Sequence, residues 1–159
     1  MLLQDRIENG FTLIELVTVI VLLSVLSVVA LPRLGGLSVF EEKAFFDEVT
    51  NAVRYAQKRA RSTGCNVQVS LTATSYRLRQ GSSCTSATYN RNVLHPLDRT
   101  TSYSNLSFPD GLTISPASTL IFSAISEVSF FPTSAAPHVF SVGGHSFTVH
   151  EKSGLVDVN

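Results

Sequence analysis

Gly10-Phe11-Thr12-Leu13-Ile14-Glu15-Leu16 opens an apolar run that reaches Leu31. Phe11 to Leu31 is 21 residues, and its only polar members are Thr12, Glu15, Thr18, Ser24 and Ser27. As a helix at about 1.5 Å per residue it would reach roughly 30 Å, the thickness of a bilayer's hydrocarbon core. Val and Ile are abundant, yet a segment in lipid must satisfy its own backbone, which requires helix over strand. Thr and Ser can return their hydroxyls to that backbone. Glu15 cannot, and a charge at bilayer depth costs about 2.5–3.5 kcal/mol, so an acid there is read as functional.

Three readings compete for this run. A secretory signal peptide would use Val28-Val29-Ala30 as its small-residue cleavage site. Asp5, Arg6 and Glu8 precede the run where such a peptide wants positive charge, and Glu15 interrupts its apolar core. A plain single-span anchor explains the length but neither Glu15 nor the glycine before Phe11, and both flanks are mixed in charge. The third reading rests on a resemblance carried by the opening residues themselves.

Gly10-Phe11-Thr12-Leu13-Ile14-Glu15-Leu16 resembles, residue for residue, the cleavage and methylation motif of type IV prepilins. The resemblance implies a cut between Gly10 and Phe11 by a prepilin peptidase and N-methylation of Phe11. It implies that Glu15 pairs with the terminal amine of a neighbouring subunit during assembly. Pro32 matches the proline at the end of the pilin membrane stretch and marks a helix kink. The leader departs from the family in not being basic. Electrostatics agree with the resemblance: a carboxylate in the first helical turn faces the positive end of the helix dipole.

Beyond Leu31 about 128 residues remain, enough for one domain with its own core. Gly35-Gly36 punctuate the chain, and Ser38 is a candidate N-cap for a second helix. Glu41, Glu42, Asp47 and Glu48 load its early turns, and Arg54, Lys58, Arg59 and Arg61 its end, matching the dipole. Phe46, Val49, Val53, Ala56 and Ala60 recur at steps of three and four and predict one apolar face. Gly64 is a fitting stop.

The period then changes to two. Asn66–Leu71 and Tyr76–Arg79 alternate around Ala73-Thr74-Ser75, a hairpin signature. The Ser/Thr/Asn-rich stretch 81–92 reads as loop. Later strands are predicted at Leu112–Ser115, Leu120–Phe122, Val128–Phe131, His138–Val142, Ser146–His150 and Leu155–Val158, between proline and glycine turns. Two cysteines, Cys65 and Cys84, lie just outside the arms of the hairpin. An even count in an exported chain predicts a disulfide over two free thiols, closing a loop of about 20 residues.

The expected fold is α+β: a long amino-terminal helix, half transmembrane and half amphipathic, packed on an antiparallel β-sheet or sandwich. The expected divisions are a cleaved leader over 1–10, a membrane and filament-core helix over 11–32, its amphipathic continuation over 33–64 and a β domain over 65–159. The soluble part resembles the GspH/FimT-like minor pilins and pseudopilins. The resemblance rests on Ala56-Gln57-Lys58-Arg59-Ala60-Arg61-Ser62-Thr63-Gly64, the hairpin after it, and the closing Lys152–Val158.

Catalysis is not expected. His95, His138, His145 and His150 read as surface or edge histidines, and no Gly-x-Ser-x-Gly or phosphate-binding glycine loop occurs. The cysteine spacing lacks a zinc pattern, so neither a metal nor another cofactor is implied. Formal charge is zero overall but uneven. Residues 54–99 carry eight arginines and lysines against Asp98, whereas residues 100–159 carry Lys152 against four acids. Arg77, Arg79, Arg91 and Arg99 are a candidate basic patch.

The resemblances imply a minor pilin or pseudopilin of a type IV pilus or a type II secretion pseudopilus, acting in assembly initiation or at the tip. Its partners would be other pilin subunits, the prepilin peptidase, the inner-membrane assembly platform and the membrane. The chain would cross the inner membrane once, with its carboxy-terminal domain periplasmic, before entering the filament. The alternative is a DNA- or surface-binding minor pilin. Against DNA, the carboxy-terminal loop that serves this role in FimT-like pilins is here Gly154-Leu155-Val156-Asp157, without an arginine.

Overall fold

The computed structural model describes residues 11–30, 37–125, 127–132 and 138–159. They form two helices and ten strands, in two compact units divided at Ser38 and Val39. Gly10, Pro32 and the Gly35-Gly36 pair lie outside the described residues.

The first unit is helix α1, Leu13–Ala30. Its 18 residues are fewer than the 21 of the apolar run. Among the described residues no helix is long and apolar enough to cross a membrane.

The second unit takes in all but the first two residues of α2, Leu37–Thr63, a helix of 27 residues. The helix starts one residue before Ser38, which therefore falls within the first turn and is not the cap. Gly64 follows the last helical residue with φ of 67°, the left-handed conformation that ends a helix and that glycine adopts without steric cost. Phe46, Val49, Val53, Ala56 and Ala60 are all fully buried, and Phe45 and Ala52 widen the predicted stripe.

The strands are all antiparallel. Val67–Leu71 (β1) and Tyr76–Gln80 (β2) form the expected hairpin, with Leu71 opposite Tyr76 and Val67 opposite Gln80. Its inner residues Val67, Val69, Leu71, Tyr76 and Leu78 are buried, and those between them are half-buried, as period two requires. Two short strands, Arg91–Asn92 (β3) and Ser104–Asn105 (β4), extend β2. The 81–92 stretch is thus not loop throughout. Ile114–Ser115 (β5), Ser118–Phe122 (β6), Val128–Phe131 (β7), His138–Val142 (β8), His145–Val149 (β9) and Val156–Val158 (β10) complete the set. One sheet runs β3-β2-β1-β6-β7 with β4 also on β2; the other runs β10-β9-β8-β5.

The apolar faces of both sheets and of α2 meet in one core. On one flank Phe46 packs against Phe147 of β9. On the other the Tyr76 hydroxyl of β2 donates to the Glu48 carboxylate at 2.5 Å, and the Asn105 amide donates to the same carboxylate at 3.2 Å. Burial, with Glu48 beside it, pushes the Tyr76 hydroxyl above the usual phenol range, so it remains a donor.

Cys65 and Cys84 form the disulfide, tying the segment before β1 to the segment after β2. Replacing both by serine is expected to cost about 3 kcal/mol by freeing that loop in the unfolded chain. The urea midpoint of the full chain in detergent, with and without the bridge, measures it.

A second constraint joins the two ends of the domain. The Gly144 amide in the β8–β9 turn donates to the Glu42 carboxylate of α2. Gly143 has φ of 58°, and a Cβ there would collide with the Glu42 side chain. Gly143→Ala is therefore expected to cost about 1–2 kcal/mol from the left-handed backbone, with the displaced Glu42 adding to it. The same urea titration reads this loss; an unchanged midpoint would contradict it.

Candidate assembly site

Thr12 stands immediately before α1 and caps it. The Glu15 amide donates to the Thr12 hydroxyl at 3.3 Å and to the Thr12 carbonyl at 3.1 Å. Thr12-Leu13-Ile14-Glu15 has the Thr-x-x-Glu spacing of a capping box. The helix start is thus written into the residues that carry the processing motif, two residues after Phe11.

The remaining hydroxyls of α1 are satisfied within the helix. Thr18 donates to the Glu15 carbonyl at 2.8 Å, Ser24 to Val21 at 2.7 Å and Ser27 to Leu23 at 2.7 Å. That leaves one polar group without an internal partner: the Glu15 carboxylate makes no ion pair or hydrogen bond among the described residues. It sits in the first turn, where the dipole favours a negative charge.

Around this carboxylate the helix is apolar on every side. Each described side chain of α1 is exposed, Leu13 at 80% and Leu26 at 64%. Such a helix needs lipid or other helices to cover it. Phe11 is exposed at the head of the helix. Gly10, the other half of the expected cleavage bond, is among the undescribed residues, as is Pro32, the expected kink.

Residues 5–31 match the prokaryotic N-terminal methylation motif. The amino-terminal segment therefore carries a type IV pilin-like prepilin motif, and Gly10, Phe11 and Glu15 fall inside the matched stretch. No curated protein and no solved structure matches the chain.

In the second unit the candidate basic residues do not lie together. Arg77 and Arg79 share the outer face of β2, opposite Ser70 and Gln68 of β1. Arg91 pairs with Gln80, whose side chain is buried and donates to Thr63 of α2 at 3.1 Å. Cross-strand partners share a face, so Arg91 belongs to the helix side of the sheet. Arg99 sits in the tight turn after β3, with φ of 56°. It borders a cleft with Arg59 of α2, a grouping that depends on the register and escaped the sequence pattern.

The histidines also separate. His138 is buried and stacks on Phe130 with ring centroids 3.4 Å apart, which corrects the expectation of a surface histidine. An imidazole on an aromatic ring buries its carbon faces at little cost. His150 lies just past β9 and pairs with Asp157 of β10 at 2.8 Å. Among the described residues no group of three or more His, Cys, Asp or Glu is placed to hold a metal ion.

The end of α2 and the closing segment Lys152–Val158 meet in space. Arg54 donates to the Val156 carbonyl at 3.0 Å, and Gln57 donates to the Ser153 carbonyl at 3.0 Å. The end of α2 thereby fastens the last strand. Arg54 is thus engaged with the backbone of β10 and does more than offset the helix dipole.

Proposed function

We propose that this chain is a minor pilin or pseudopilin. A prepilin peptidase cuts it after Gly10, Phe11 is methylated, and the mature chain waits in the inner membrane before entering a filament. The observation that carries the reading is the methylation motif over residues 5–31, joined to an all-round apolar helix with one unpaired carboxylate in its first turn.

The apolar run of the sequence, the 21 residues from Phe11 to Leu31, has the length a membrane span needs at about 1.5 Å per residue. The hydroxyl-to-carbonyl bonds of Thr18, Ser24 and Ser27 suit lipid, where no water replaces them. In the membrane Glu15 reaches the headgroups. In the filament the Phe11 ammonium of a neighbour becomes its partner, and the apolar faces of α1 pack against other helices. The 39–159 unit then stands outside the helical bundle, on the periplasmic side before assembly.

The minor role, in initiation or at the tip, is supported by the α2 end and last strand that resemble GspH/FimT-like subunits. A duplex-binding role would want a continuous basic strip along phosphates. The split of Arg77 and Arg79 from Arg91 and Arg99 favours assembly as this domain's task.

Filaments sheared from cells and separated from membranes test the reading. The chain is expected in both fractions. Its confinement to the membrane, in cells whose other pilins reach the filament, would refute it.

A further inference from the structure

Glu41, Phe45, Glu48, Tyr55 and Arg59 follow one another at steps of three, four and seven, so they line one side of α2. This side borders the segment 94–109: Phe45 packs on Phe108 at 4.4 Å and Tyr55 on Tyr103 at 5.2 Å. Two clefts open along it. One, about 380 Å³, lies near the start of the helix and is bordered by Glu41 and Glu48. The other, about 370 Å³, lies near its end and is bordered by Tyr55, Arg59, His95 and Arg99. The first is acidic and the second basic.

Glu48 already accepts from Tyr76 and Asn105 but meets no cation, and the charges of Glu41, Arg59 and Arg99 are not paired within the described residues. Among the described residues the ion pairs are Lys43–Asp47 and His150–Asp157, and neither involves Glu41, Arg59 or Arg99. The acid beside Arg99, Asp98, is already occupied. It accepts from the Thr100 amide at 3.0 Å, the Thr101 amide at 3.2 Å and the Thr101 hydroxyl at 2.6 Å. Those bonds, the Thr101 hydroxyl first, hold its carboxyl below the usual range. Asp98 shapes the turn that presents Arg99 and leaves the cleft its positive charge.

We propose that the basic cleft at the end of α2 receives the acidic start of α2 from a second copy of this chain, in a head-to-tail contact. The inference rests on the filament-subunit reading. A guanidinium fork suits a carboxylate, and two arginines flanking aromatic and apolar walls suit a helix end that carries two acids around Phe45. The donor and acceptor surfaces are different patches, so the contact is heterologous. Repeated without closure it generates an open helical array, the symmetry of a fibre. Glu41 and Arg59 are 18 positions apart on α2, so adjoining copies are displaced by about 27 Å along the helix. At least two copies therefore adjoin where this subunit stands in the filament.

A photo-crosslinking residue in place of Leu97 tests this. Leu97 is 88% exposed, on the turn that carries Pro96 and Arg99. Tagged and untagged full-length copies are expressed together in filament-forming cells, and crosslinked peptides are sequenced from sheared filaments. The expected product joins position 97 of one copy to a peptide containing residues 41–48 of another. Arg59→Gln with Arg99→Gln is expected to lower its yield roughly tenfold, as loss of close charge pairs does at interfaces. Arg99→Gln alone, in an exposed turn, gives a clear reduction without touching the core. Presence in filaments with crosslinks elsewhere, to another protein, or not at all overturns the contact while leaving the filament reading intact. Absence from filaments overturns both.

Discussion

Glu15→Val is expected to leave cleavage after Gly10 intact and to lower incorporation into filaments by roughly a hundredfold or more. The carboxylate lies in the first turn of a helix whose other described side chains are apolar or internally bonded. In a filament core the helix is surrounded by others like it, and a neighbour's ammonium has no further acid there to meet. Removing one partner of a buried pair costs about 3–5 kcal/mol, chiefly because the other charge stays behind unpaired. Each 1.4 kcal/mol is about tenfold in an equilibrium, so the loss passes two orders of magnitude. The membrane-stored form should not suffer, since valine is easier to hold in lipid than glutamate. The measurement compares mature chain in membranes with chain in sheared filaments; equal filament content for Glu15→Val and the native chain would contradict the role.

Phe46→Ala is expected to destabilise the second unit by about 3–5 kcal/mol. Phe46 is fully buried and packs between His145 and Phe147 of β9 at ring separations of 5.2 and 6.2 Å. It is the point where α2 grips the second sheet. Close-packed neighbours relax only partly, so the change leaves a cavity as well as losing apolar burial. A domain of this size has about 5–15 kcal/mol in total, so roughly a fifth or more of its stability goes. Urea unfolding of the full chain in detergent reads the loss; a change under about 1 kcal/mol would show that α2 is not the keystone of the core.

The parts of this structure legible in the sequence are those with a strong local period. Phe46, Val49, Val53, Ala56 and Ala60 recur at helical steps and are all buried. Val67 to Leu71 and Tyr76 to Gln80 alternate at strand steps and pair in register, and the cysteines outside them are bridged. What was not legible depends on contacts between distant segments. Arg91–Asn92 and Ser104–Asn105 are two-residue strands, too short to show any period, and exist because β2 offers them an edge. His138 is buried because β7 brings Phe130 beneath it. The four arginines separate because register puts Gln80 opposite Arg91 and Arg79 opposite Asn92. The division into two sheets follows from pairing order, which alternation does not encode.

At the amino terminus the motif residues proved informative twice over. Thr12 and Glu15 belong to the processing signature and also start the helix through the Thr12 cap. A cut before Phe11 would therefore leave a mature chain whose helix begins almost at once, with the carboxylate one turn from the new amine. The intact mass and amino-terminal peptide of the chain recovered from cells test this central claim most directly. The expected chain begins at Phe11 and carries one methyl group on its terminal nitrogen. A chain retaining residues 1–10, or one cut instead after Ala30, would contradict it.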